Sequence, residues 1–343
     1  MISGFPLHRA RAIAPLVVLL ALFNLGSESL RQPGRLKQLA RDNPGFFLSP
    51  INAVRAYVSR ESDGNLYHAY TQLLFGERPD ATLIAETRAV PVEALRIRET
   101  PGWRVPHRDF SIEYPPGVWL AILPPALLGR SLEQFHLWFG LWMSLFCVMT
   151  VWIALSLRSA ALGSEEFRPG ARLAFWWVLA IGPLSVNRFD FWPALITLIA
   201  VERAYSRRWG WSGFAIGLGF ATKVYPVILL PVLAVVAWNI YPLKQRIRPL
   251  ASLFAAAALG VVVMVAPVAL MAGPDLLRDL SSHLQRPLEI EAVLGTPLLF
   301  APDSFVYRSF GSSNLGGPHV EALSMLSLPL TVVAFSCSCV LAY

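Results

Sequence analysis

The residues best able to do chemistry in this chain are charged side chains embedded in apolar sequence. Lys223 stands in Gly219-Phe220-Ala221-Thr222-Lys223-Val224-Tyr225-Pro226, with apolar residues on both sides. An ammonium in that setting either snorkels from a helix end to the interface or holds a phosphate as a compact point charge. Arg188 and Asp190 lie between two apolar blocks, with Pro193 opening the second. They fit a tight interfacial turn with a local ion pair, or an arginine fork for phosphate or sugar. The run from His107 to Pro116 holds Asp109 and Glu113, four residues apart and on one face if helical, but Pro115 forces Tyr114 away from helix. A rigid extended lead into the membrane and a sugar site both remain open there. His283, Arg286, Glu289 and Glu291 make a second dense polar patch, which a solvated loop also explains. Asp63, in Ser62-Asp63-Gly64-Asn65, reads as a turn or a helix N-cap, with Tyr67, His68 and Tyr70 following on helical spacing.

Several other chemistries have no support. There is no phosphate-cradling Walker loop, no HExxH zinc pair and no G-x-S-x-G elbow, and Gly217-Leu218-Gly219 reads as small-residue helix packing. Cys147, Cys337 and Cys339 lie in apolar runs and make neither a zinc spacing nor a disulfide framework. No metal site and no cofactor are expected, with a divalent cation left open. The net charge of +7 could suggest nucleic acid, but the arginines sit between apolar blocks, where the positive-inside rule places them. Nucleic acid is therefore not an expected partner.

The elements that must position these residues are membrane-embedded. The chain is 55% hydrophobic and 15% charged, against about 25% charged for soluble domains. Apolar blocks recur at 13–29, 117–129, 134–157, 173–186, 191–202, 211–240, 249–272, 289–301 and 322–343. Several reach the roughly 20 residues that cross a hydrocarbon core. The predicted fold is an all-α polytopic membrane bundle forming a single domain over 1–343, with one long polar loop at 30–116. The first apolar run reads as an uncleaved span, since no small-x-small cleavage site follows it. Tyr343 falls inside an apolar run, which predicts that this chain is part of a longer protein. Basic clusters at 158–172, 203–208 and 244–248 are expected in the cytoplasm, which puts the 30–116 loop, Arg188, Lys223 and the 273–288 loop on the extracytoplasmic side. The 211–240 run must then leave and return. It is too short for two full spans at about 1.5 Å per residue, so two short helices should meet at Lys223, where Pro226 interrupts the hydrogen-bond ladder. The 117–129 block, interrupted by Pro124-Pro125, is expected to be re-entrant or tilted. Broken segments at membrane depth imply a protein-lined or water-filled cavity.

Taken together, these motifs resemble glycosyltransferase family 87, the polyprenyl-phosphate-mannose-dependent transferases of the C-type membrane fold. The matching residues are Asp63-x-x-x-Tyr67 with Leu73, Leu74 and Gly76; Arg108 to Pro116; Arg188-x-Asp190-x-x-Pro193-Ala194-Leu195; Gly219-x-Ala221-Thr222-Lys223-x-Tyr225-Pro226; and Arg286-x-Leu288-x-Ile290-Glu291. The resemblance implies that Asp63 is the general base. It also implies that Lys223, Arg188 and Arg286, with His283 beside the last, contact the donor phosphate or sugar. Tyr67, His68, Asp109, Glu113, Tyr114, Asp190, Tyr225 and Glu291 are the expected substrate contacts. The sequence departs from the family pattern where Asp80–His107 intervenes before Arg108-Asp109-Phe110, with His107 at a tyrosine position, and where Ala292 replaces a serine after Ile290-Glu291.

The expected reaction moves a hexose, mannose first, from a polyprenyl-phosphate sugar to a lipid or glycan acceptor. Such a donor carries its own leaving group. The protein must supply a carboxylate to take the acceptor proton and fixed positive charge for the departing phosphate, and single displacement at C1 inverts the anomeric centre. The chain is expected in the plasma or inner membrane, in contact with membrane lipids and serving the cell envelope, with an extracytoplasmic active site. A transporter or lipid flippase would share broken helices and midplane charges, but inverted repeats are not visible. A non-catalytic partner in envelope assembly is the other reading.

Overall fold

The computed structural model describes residues 7–30, 63–88, 91–281, 288–289, 298, 301, 303–309 and 312–342. In chain order the helices are α1 (Leu7–Leu30), α2 (Asp63–Leu74), α3 (Ala81–Arg88), α4 (Trp119–Leu128), α5 (Leu132–Leu162), α6 (Phe167–Ile181) and the short α7 (Leu184–Asn187). They continue as α8 (Phe191–Tyr205), α9 (Trp209–Phe220), α10 (Leu229–Ile240), α11 (Ile247–Ala272) and α12 (Pro274–Ser281). A hairpin of β1 (Phe305–Ser309) and β2 (Ser312–Gly316) precedes α13 (Val320–Ala342). The helical expectation holds, and the hairpin is an addition to it. Its antiparallel register pairs Phe305 with Gly316 and Ser309 with Ser312. The chain divides into two compact units, residues 1–71 with 118–208 and residues 72–117 with 209–343.

The first unit is organised around α5. Ser131 caps it by accepting a 3.2 Å bond from the Gln134 amide, and Gly163 closes it with φ 116°, so both ends are satisfied by residues suited to the task. At 31 residues and mean hydropathy 1.9, α5 is long and apolar enough to cross a membrane. One face buries Cys147, Val151 and Leu155 against Ile13, Leu16 and Leu20 of α1 and Phe167 and Ala171 of α6. Leu141, Leu145 and Met149 are left exposed on the same helix. That apolar exterior suits lipid rather than water. Inside, Asn24 donates to Ser144 Oγ and to the Leu20 carbonyl, both at 2.9 Å.

In the second unit α9 packs against α11 through glycines. A Cβ at Gly213 or Gly217 would collide with the carbonyl oxygens of Leu253 and Ala257, and one at Gly260 with that of Phe214. Small residues let two helices approach this closely. With the short 3-10 turn that precedes it, α11 is the second helix able to span, at mean hydropathy 2.5. Leu259, Val262 and Leu270 are exposed on it. The 211–240 run breaks where the sequence predicts. After α9 the Ala221, Thr222 and Lys223 amides bond back to Gly217 and Gly219 carbonyls, and Pro226 lies in the short 3-10 turn before α10. By contrast, α4 continues through Pro124-Pro125 and ends at Leu128.

Candidate functional site

In the first unit, Asp63 opens α2 and its carboxylate stands 3.1 Å from Nε of Arg188. Tyr67, one turn along, donates to the same carboxylate oxygen at 3.4 Å. Both ends of this pair are held from beneath. Phe189, next to Arg188, is 1% exposed and meets the Tyr67 ring edge-on at 5.6 Å. Tyr67 in turn packs on Phe139 of α5 at 5.4 Å. Arg188 itself is extended (φ −122°, ψ 149°) between α7 and α8. The first turn of α2 is clamped as well: Asn65 Oδ1 meets His136 Nε2 at 2.7 Å, and Gly64 lies so close to the His136 ring that a Cβ would not fit. Side-chain exposures of 24% for Asp63 and 35% for Arg188 leave the pair reachable. Asp190 is exposed at the head of α8. His68 is buried, with Nε2 3.0 Å from the Arg130 carbonyl and its ring on Phe135. It braces the α4–α5 connection.

The second unit joins two of the sequence motifs through backbone. The Gly117 amide donates to the Ala221 carbonyl at 2.7 Å. Any Cβ at Gly117 would strike Thr222 and Ala221, so only glycine permits this contact. The approach docks the Glu113-Tyr114-Pro115-Pro116 run on the turn that carries Lys223. Glu113 is buried, Tyr114 and Lys223 are half-buried, and Tyr225 is exposed. His283, Arg286 and Glu291 lie outside the described residues.

A separate polar cluster was not anticipated. Asp279 on α12 is 5% exposed and receives Arg96, His107 Nδ1 at 3.1 Å, the Ile112 amide at 3.3 Å and Ser111 Oγ at 3.5 Å. Asp275, one turn earlier, faces Arg98 at 3.7 Å and also meets Arg278. The signal available in the sequence was the spacing of the two aspartates on a short amphipathic helix. His107 is fully buried, with φ 68°, a left-handed conformation uncommon for any residue but glycine. Burial, with the Arg96 guanidinium nearby, pushes its pKa down to about 4. A neutral ring donating from Nδ1 to the carboxylate satisfies both facts.

Asp109 is also closed in. Arg108 grips both of its oxygens at 2.9 Å and the Val105 amide adds a bond at 2.8 Å. The Arg108 hydrogen bonds hold its carboxyl below the usual carboxylate range, against the opposing effect of burial. Among the described residues, no three His, Cys, Asp or Glu side chains gather as a metal site requires.

The profile of glycosyltransferase family 87 matches residues 112–342. The chain belongs to glycosyltransferase family 87. Searches of curated proteins and of solved structures find no match. The family 87 match covers Arg188, Asp190, Lys223 and Tyr225 and opens inside the Ile112-Glu113-Tyr114 motif. Asp63, Tyr67 and His68 precede it. For a family 87 glycosyltransferase the exposed apolar faces of α5 and α11 have a plain meaning, since the family is a membrane one.

Proposed function

We propose that the chain transfers a hexose, mannose first, from a polyprenyl-phosphate sugar to a lipid or glycan acceptor, with inversion, on the extracytoplasmic side of the plasma or inner membrane. The observation that carries this reading is the Asp63–Arg188 pair. An acceptor hydroxyl needs a carboxylate that is ionised at neutral pH and reachable, and an aspartate with a reference pKa of about 3.9 beside a guanidinium stays charged. The departing phosphate needs a fixed cation, which Arg188 can supply as a planar fork. Before the donor binds, the two answer each other's charge. A phosphate arriving at Arg188 draws the guanidinium toward itself, and Asp63 takes the proton of the acceptor hydroxyl. Lys223 and Arg286 carry the same phosphate role from the sequence, with His283. Glu113, Tyr114, Asp190, Tyr225 and Glu291 remain the proposed substrate contacts. The three basic clusters favour a cytoplasmic location, which supports the assigned orientation.

Membranes containing the chain should move radiolabel from polyprenyl-phosphate-mannose into a lipid or glycan product. Asp63→Asn should fold and bind donor yet transfer about 10²–10⁴-fold more slowly, because an amide cannot accept the proton. Turnover within a few-fold of wild type would remove Asp63 from the role.

A further inference from the structure

The first unit gathers arginines at one end, where three contacts bring four helix ends together. Arg9, at the start of α1, lies 5.2 Å over the Phe167 ring that opens α6. Arg158, near the end of α5, pairs with Glu166 just before α6. The Tyr205 hydroxyl at the end of α8 donates to the Ala160 carbonyl of α5 at 3.5 Å. Two arginines are matched within the protein, Arg158 by Glu166 and Arg203 by Glu202 at 2.8 Å. Arg9, Arg11, Arg168, Arg172, Arg207 and Arg208 have no acidic partner among the described residues, and against them stands Glu165, likewise unpaired. Arg9 is half-buried, with a shielded Nε that meets no acceptor, and the other five are exposed.

This end lies at headgroup depth for a spanning α5. Its 31 residues measure about 46 Å, against a hydrocarbon core of about 30 Å, so its ends pass beyond the apolar layer. On α6, Arg168 and Arg172 share a face one turn apart. Leu173, Trp176 and Trp177 follow them, 56%, 63% and 63% exposed. A lipid beside α6 therefore finds apolar and indole surface for its acyl chain and guanidiniums for its headgroup. A free anion would use the arginines but not the indoles. The guanidinium fork suits a phosphodiester, whereas a choline headgroup would bring its own positive charge into the cluster.

We propose that this end of the first unit binds an anionic phospholipid. Arg9, Arg168 and Arg172 contact the phosphodiester, on two helices already packed together through Ile13 and Ala171. Arg11, Arg207 and Arg208 supply the surrounding field. The site is distinct from the Asp63–Arg188 pair, because Arg188 precedes α8 and Arg207 follows it, with a helix of about 22 Å between them. It rests on neither the donor nor the acceptor.

The test uses the full chain in non-ionic detergent, with phosphatidylglycerol, phosphatidylcholine and inorganic phosphate as probes, read by native mass spectrometry. Wild type should hold phosphatidylglycerol saturably and about tenfold or more tighter than phosphatidylcholine, and excess phosphate should not displace it. An arginine near an anionic headgroup contributes about fivefold in affinity. The double variant Arg168→Gln, Arg172→Gln should therefore bind phosphatidylglycerol about thirtyfold more weakly, with an unchanged unfolding midpoint because both positions are exposed. Arg9→Gln should lose about fivefold. Equal affinity for the two lipids in wild type, or wild-type affinity for phosphatidylglycerol in the folded double variant, would overturn the proposal. So would full displacement by phosphate, which would mark a free-anion site. No sugar donor is present, so a negative result leaves the reaction standing, and loss of transfer in Asp63→Asn leaves the lipid site standing.

Discussion

Asp63 and Asp279 are both aspartates facing an arginine, and their surroundings separate them. Asp63 faces Arg188 and a long tyrosine contact, and its side chain is still 24% exposed. Asp279 is 5% exposed and receives four groups, three of them from the segment between residues 107 and 112. A carboxylate whose lone pairs are all taken by protein has none left for a substrate, and removing it strands its donors. One that stays reachable beside a part-exposed guanidinium can exchange that contact for a reactant. A carboxylate's enclosure, more than its charge, decides whether it serves architecture or reaction.

The contrast can be broken by exchanging the readouts. Asp63→Asn should give the largest effect, the loss of transfer of about 10²–10⁴-fold, with little change in the unfolding midpoint. Asp279→Asn should do the reverse. It should lower stability by about 3 kcal/mol, the lower end for breaking a buried pair because Arg96 stays partly solvated, as read by thermal unfolding in detergent. A stable but inactive Asp279→Asn protein would invert the comparison and make Asp279 the chemical residue.

The second way to sharpen it is pH. The His107 pKa of about 4 in the folded chain lies below the unfolded value of about 6.5. The unfolded state therefore binds the proton first, so this contribution is complete above about pH 6.5 and is lost as pH falls toward 4. The loss should reach the order of 3 kcal/mol at one histidine. His107→Gln should flatten that part of the stability profile. An unchanged slope would mean that the ring is already charged against Asp279. The smallest effect concerns Lys223. Lys223→Ala should weaken donor use by about ten- to a hundredfold with folding unchanged, measured as the KM for polyprenyl-phosphate sugar. Wild-type donor use in that variant would leave the ammonium a snorkelling role.

The helices were legible because burial and lipid exposure both act through the apolar pattern, as α5 and α11 illustrate. The break at Lys223 was legible because Pro226 and two nearby glycines leave the backbone few alternatives. Asp63 could be singled out, but its partner could not. Arg188 is separated from it by most of the first unit, and nothing local in either motif demands the other. Asp279 was missed for a related reason. An aspartate on a short polar helix looks solvated until the residues that bury it are known, and these lie far earlier in the chain. Asp109 showed the converse: its spacing from Glu113 suggested a carboxylate pair, whereas its neighbour Arg108 takes both oxygens.

That separation has a consequence for how the chain is made. Arg96 and Asp279 are 183 residues apart in sequence. A ribosome adds about 5–20 residues per second, so the 95–112 segment must wait on the order of ten seconds or more for the carboxylate that secures it. Through that interval the Arg96, Arg98 and His107 side chains lack their α12 carboxylates, and α4 to α11 must already be made. The contacts of the 95–112 segment to α12 thus form only after α12 is made. A late fault at α12 would be felt some 170 residues upstream, in a stretch that had long since left the ribosome.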